Sequence, residues 1–112
     1  MAAAPLGSSG IEAAPLLARG DSMFALGDVG SARLFYERAA DAGDGQAALN
    51  LAKTLDPVFL YSARLYWVRG DADRAAYWYR RARDFGAPEG AVIIYHNRTG
   101  KIPTGQILHK RG

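Results

Sequence analysis

Metal and acid–base chemistry in proteins rests on imidazoles, thiolates and paired carboxylates placed at workable spacing. This chain of 112 residues has two histidines, His96 and His109, and no cysteine. The histidines stand 13 positions apart with no acidic residue between them, so the pattern of a metal set is missing. No motif pairs His96 with a carboxylate as an acid–base couple. Gly100-Lys101 lacks the strand–loop–helix setting of a phosphate loop. Asp41, Asp44 and Asp84 read as helix-end and turn residues rather than paired catalytic carboxylates. The expectation is a protein without catalytic residues, metal or cofactor.

Two basic segments invite a binding reading. The run Tyr77-Trp78-Tyr79-Arg80-Arg81 has the composition of a base-stacking surface with phosphate contacts. Its plainer reading is structural: Trp78 and Tyr79 fall on the inner face of a helix, with Arg74, Arg80, Arg81 and Arg83 projecting to solvent. The tail, residues 99–112, carries Lys101, His109, Lys110 and Arg111. It reads as a solubilising end, with an acidic partner, lipid or RNA as the functional alternatives.

The element that must position these residues is repeated. Residues 27–49 recur without a gap as residues 70–92, with nine identities: Gly27, Asp28, Ala32, Tyr36, Arg38, Ala39, Asp41, Gly43 and Ala48. A period of this length is the mark of a stacked helical array. The spacing of apolar residues predicts a first helix from about Ala13 with Pro15 in its opening turn, ending at Gly27-Asp28. Gly20 lies within it, and a glycine there implies close approach of a neighbouring helix. A second helix is predicted from Gly30 to Ala42, ending at Gly43. A third starts near Gly45 and is apolar almost all round. Asp56-Pro57 interrupts it, after which helix is predicted to resume and run through Leu60, Ala63, Tyr66 and Trp67 to Arg69. Further helices are predicted over residues 73–85, stopped by Gly86, and residues 88–97.

Composition bounds the rest. Net charge is +3 and the pI about 9.4, with arginines interleaved with acids rather than gathered in one block. That pattern argues against nucleic acid as the main partner. The lack of cysteine removes disulfides and thiolate chemistry. No apolar run reaches the roughly 20 residues needed to span a bilayer. Residues 1–12 lack the pattern of a signal peptide and are too poor in apolar side chains to predict order. These features lean towards the cytoplasm while leaving the compartment open.

The Gly-Asp centred hairpins resemble tetratricopeptide-type repeats. The shared pattern is Gly20, Gly27-Asp28, Ala32, Tyr36 and Ala39, then Ala63, Gly70-Asp71, Ala75, Tyr79 and Ala82. The 43-residue offset from Gly27 to Gly70, and the acidic–glycine step after each second helix, are more similar to the Sel-like subfamily. The resemblance covers residues 13–98. It implies an all-α, right-handed antiparallel helical-hairpin repeat array of five or six short helices. It also implies that the first helix of each hairpin lines a concave face. On this chain that face would carry Leu17, Asp21 and Phe24, then Leu60, Arg64 and Trp67. Phe24 and Trp67 read equally well as core.

The function expected is a non-enzymatic protein–protein interaction or scaffold module that binds a partner segment in this groove. One alternative is a small structural subunit or terminal cap that docks, or self-associates, through residues 88–97 and the tail. The other is an RNA-binding helical repeat.

Overall fold

Aspartates set the helix starts. Asp28 Oδ1 accepts the Ser31 N–H at 3.0 Å, and Asp44 Oδ1 accepts that of Ala47 at 2.9 Å. Asp56 Oδ1 accepts the Val58 N–H at 2.9 Å, and Asp71 Oδ1 that of Arg74 at 3.1 Å. Each bond satisfies an amide that a helix's first turn leaves without a partner. Hydrogen bonding to the Ser31 side chain, and then to its N–H, also holds the Asp28 carboxyl below its ordinary pKa. The computed structural model describes the backbone of residues 3–87 and the side chains of residues 13–87. Over that span it is all-helical: α1 (Ala3–Ala25), α2 (Val29–Asp41), α3 (Gly45–Leu55), α4 (Pro57–Ser62) and α5 (Ala72–Asp84). The helix predicted over residues 88–97 and the tail lie outside the described residues.

Four of the five described helix stops, all but that of α3, share one construction. The N–H of Gly27 donates to Phe24 O and that of Asp28 to Met23 O, both at 2.9 Å. The same pair of bonds recurs at Gly43 and Asp44, at Gly86 and Ala87, and at Arg64 and Leu65. This double bond requires a left-handed residue at its centre. Gly27 (φ +86), Gly43 (φ +97) and Gly86 (φ +97) supply it without steric cost. Arg64 (φ +62) supplies it at α4, against the preference of a side chain with a Cβ.

The helices pack in sequence-local pairs. α1 lies along α2, α3 lies along both α2 and α5, and α4 touches the end of α3. The ends meet head to tail: Asp71 N–H donates to Leu55 O at 2.7 Å, and Gly45 sits against the Phe85 backbone at the other end. Thus α3 and α5 are antiparallel. Small residues let the axes approach: Ala32, Ala39, Ala47, Ala48, Ala52 and Ala82 are all fully buried. Leu49, Leu51 and Leu55 of α3 are also buried, each stabilising the fold by about 1.5–3 kcal/mol relative to exposure. Gly20 marks a close contact of α1 with α2. A Cβ there would stand 2.6 Å from the Tyr36 ring.

Two predicted elements differ. α1 starts at Ala3, well before Ala13, although Pro5, Gly7 and Gly10 lie in the added stretch and are poor helix formers. Pro15 therefore lies inside α1 rather than in its first turn. The helix predicted to run to Arg69 stops at Ser62. Its expected small contact residue, Ala63, is instead the exposed C-cap of α4. The helix paired with α5 is α3, and residues 56–71 form the connection between them.

A candidate interaction groove

The polar residues of α3 explain the groove. Gln46, Asn50, Lys53 and Thr54 follow an i, i+4, i+7, i+8 pattern, so they share one face while the rest of the helix is buried. Gln46 Nε2 donates to Asn50 Oδ1 at 2.8 Å, and Asn50 Nδ2 donates to Asp21 Oδ1 of α1 at 3.3 Å. Asp21 Oδ1 also accepts the Tyr36 hydroxyl at 2.6 Å. Burial, with the Asp21 hydrogen bond and charge behind it, raises the Tyr36 pKa well above its ordinary value. The phenol is therefore a standing donor at neutral pH. Asp21, Tyr36 and Asn50, with Phe24, Lys53, Thr54 and Phe59, wall an open groove of about 210 Å³ between α1, α3 and α4.

That volume is below the roughly 300–1,000 Å³ of small-molecule sites. It suits one or two side chains. Phe24 and Phe59 offer apolar walls, Lys53 a cation, and the Asp21–Asn50 pair a fixed donor–acceptor edge. Among the described residues, no group of three metal-ligating side chains lies close enough together to hold an ion. No described helix is long and apolar enough to cross a membrane.

The six residues proposed from sequence do not share a face. Asp21 and Phe24 line the groove. Leu17 is half-buried against the core. Leu60 is buried, its Cδ1 close under Gly70. Arg64 is exposed on the connection. Trp67, 70% exposed, lines a different groove beside the α1–α2 turn. Sequence reasoning missed Asn50, Lys53 and Thr54, although their helical spacing in an otherwise apolar segment was the signal. Phe59 gave none, since its place depends on where α4 begins.

The basic run on α5 divides. Trp78 and Tyr79 are buried, as their repeat positions imply, while Tyr77 is exposed. The Arg81 guanidinium lies over the Tyr77, Trp78 and Phe85 rings at 5.6, 5.2 and 4.9 Å and donates to the Tyr77 hydroxyl at 2.6 Å. Arg83 pairs with Asp84 at 3.1 Å. Arg81 thus packs on its own helix rather than standing free.

Comparison with protein-family models, with curated proteins and with solved structures returned no match.

Proposed function

We propose that this chain is a non-enzymatic protein-interaction module that holds a partner peptide in the groove between α1, α3 and α4. The observation that carries the reading is the Gln46–Asn50–Asp21–Tyr36 chain of hydrogen bonds. It links three helices beside two half-buried phenylalanines and fixes a polar edge in advance. Preorganised donors and acceptors next to apolar walls suit a peptide backbone with one anchoring side chain.

We read the architecture as a right-handed helical-hairpin repeat array of tetratricopeptide or Sel-like type. The paired hairpins α1/α2 and α3/α5 support it, as do the matching caps at Asp28 and Asp71. The length beyond the usual 34-residue repeat is taken up in residues 56–71.

The test is selection of random 12-residue peptides displayed on phage against the immobilised chain, followed by calorimetric titration of the recovered peptides. Phe24→Ala, Asn50→Ala and Lys53→Glu are expected to weaken binding at least tenfold while helicity is retained. Recovered peptides that bind all three variants like the unmodified chain would remove the groove from consideration.

A further inference from the structure

The connection between α3 and α5 presents a second surface. Tyr61, Tyr66 and Trp67 are 72%, 65% and 70% exposed, whereas Tyr36, Trp78 and Tyr79 are buried. The Tyr61 and Tyr66 rings brace each other, 5.6 Å apart and inclined by 60°. Val68 joins that pair to Trp67, since it lines the grooves on both sides. On the Trp67 side the groove is about 300 Å³ and its far wall is the α1–α2 turn at Gly27, Asp28 and Val29. Leu26, 75% exposed, stands next to Gly27.

This connection is held firmly. Arg33 Nη2 donates to the Thr54 and Arg69 carbonyls, and Arg33 Nε donates to Thr54 Oγ1 at 3.2 Å. Gly70 packs against Leu55 O, and the next amide bonds to that same oxygen. The aromatic surface is therefore preorganised. Arg64 occupies the left-handed stop position that the other three stops give to glycine. Strain kept at an exposed arginine points to a use for its side chain.

Chemistry selects the occupant. Trp, Tyr and Arg are the residue types that dominate binding energy at interfaces. The three rings present on the order of 400 Å², about half of the ~800 Å² per partner that a stable dimer buries. A second copy of the chain therefore needs more surface than is offered, and a short segment does not. Residues 57–70 contain Arg64 and Arg69 and no acid, which favours a carboxylate beside the apolar anchor. An anionic membrane fits less well, because a bilayer face would also meet the exposed Asp28 and Asp71, whereas a short segment can keep its carboxylate beside Arg64.

We propose that residues 61–69 dock a short peptide segment of a partner protein that carries an apolar anchor next to a carboxylate. The surface is separate from the groove of α1, α3 and α4, and the two proposals fail independently.

The experiment is fluorescence anisotropy on the full chain with two labelled 12-residue peptide pools. Both have a fixed Leu-Phe centre, flanked in one pool by glutamates and in the other by lysines. The glutamate pool is expected to bind at least tenfold more tightly. Trp67→Ala should lose that binding, Arg64→Glu should reverse the preference, and Phe24→Ala should leave it unchanged. Arg64→Gly relieves the strained backbone, so its melting temperature should rise while its affinity falls at least fivefold. Equal affinity for both pools, binding to neither, or full binding by Arg64→Gly would overturn the proposal. So would Trp67-dependent binding only to vesicles of phosphatidylcholine and phosphatidylserine, or Trp67-dependent self-association in a sedimentation series.

Discussion

The α1/α2 hairpin and the α3/α5 hairpin share residues at matching positions of their second helices and are closed differently. A tight turn, Leu26 to Asp28, closes the first; residues 56–71, with α4 inside them, close the second. Equivalent residues consequently do different work. Gly27 is needed for its left-handed φ of +86. Gly70 is needed because a Cβ would meet Leu55 O at 2.9 Å and Leu60 Cδ1 at 3.2 Å. Tyr36 donates to the exposed Asp21, whereas Tyr79 donates at 2.7 Å to Asp56, which is 4% exposed. A repeated sequence preserves helix faces, and the connection then decides which neighbour each face meets.

The two tyrosines, taken together, give the largest expected losses. Removing the Tyr79 hydroxyl leaves a buried carboxylate short of a donor, so Tyr79→Phe should cost about 1–3 kcal/mol. Tyr36→Phe leaves a carboxylate that water reaches, and should cost about 0.5–1.5 kcal/mol. Urea unfolding of both variants checks the order, and equal losses would mean that the two hairpins treat this position alike.

The two glycines come next. Gly27→Asn should lose only a few tenths of a kcal/mol, since asparagine enters the left-handed region more readily than other residues. Gly70→Asn should lose roughly 1–3 kcal/mol through overpacking against backbone. Similar losses at both sites would show that one conformational demand governs both turns.

Arg64→Gly is expected to stabilise the chain by about 1 kcal/mol, by relieving a left-handed residue that carries a Cβ. No gain in melting temperature would mean that its side chain is already held by contacts worth as much.

The smallest effect is in the pH profile. Burial, and hydrogen bonding to Asp21 and Asp56 respectively, raise the pKa values of Tyr36 and Tyr79 above their unfolded values. Their contribution is therefore fully present below about pH 10, where an unfolded tyrosine titrates, and is lost as pH rises further. Stability measured from pH 9 to 11.5 should fall, and the fall should be shallower in Tyr36→Phe and Tyr79→Phe. An unchanged slope in both variants would place the base sensitivity elsewhere.

The repeat reading located α2 and α5 to within a residue or two, because aspartate caps, glycine stops and 3.6-residue spacing are local signals. It also anticipated the close contact at Gly20 and the burial of Trp78 and Tyr79. It assigned the wrong partner to α5. Gly70 resembled a second Gly27, so a helix ending there was expected, and Arg64 gave no glycine to announce the earlier stop. The groove is half legible: Asp21 and Phe24 read from α1, while Asn50 and Lys53 lie on a helix whose sequence is apolar almost all round.

Sequence alone determined where α2 to α5 start and which faces are apolar, because each depends on residues within one or two turns. Tertiary structure decided that α3 packs on α5, that Asp56 meets Tyr79 and that Arg33 pins the connection through Thr54 and Arg69. The side-chain hydrogen bonds among them join residues 21 to 36 positions apart. They depend on which helix wins the apolar face of α5. The helix buried on nearly every side wins that competition, ahead of the shorter α4.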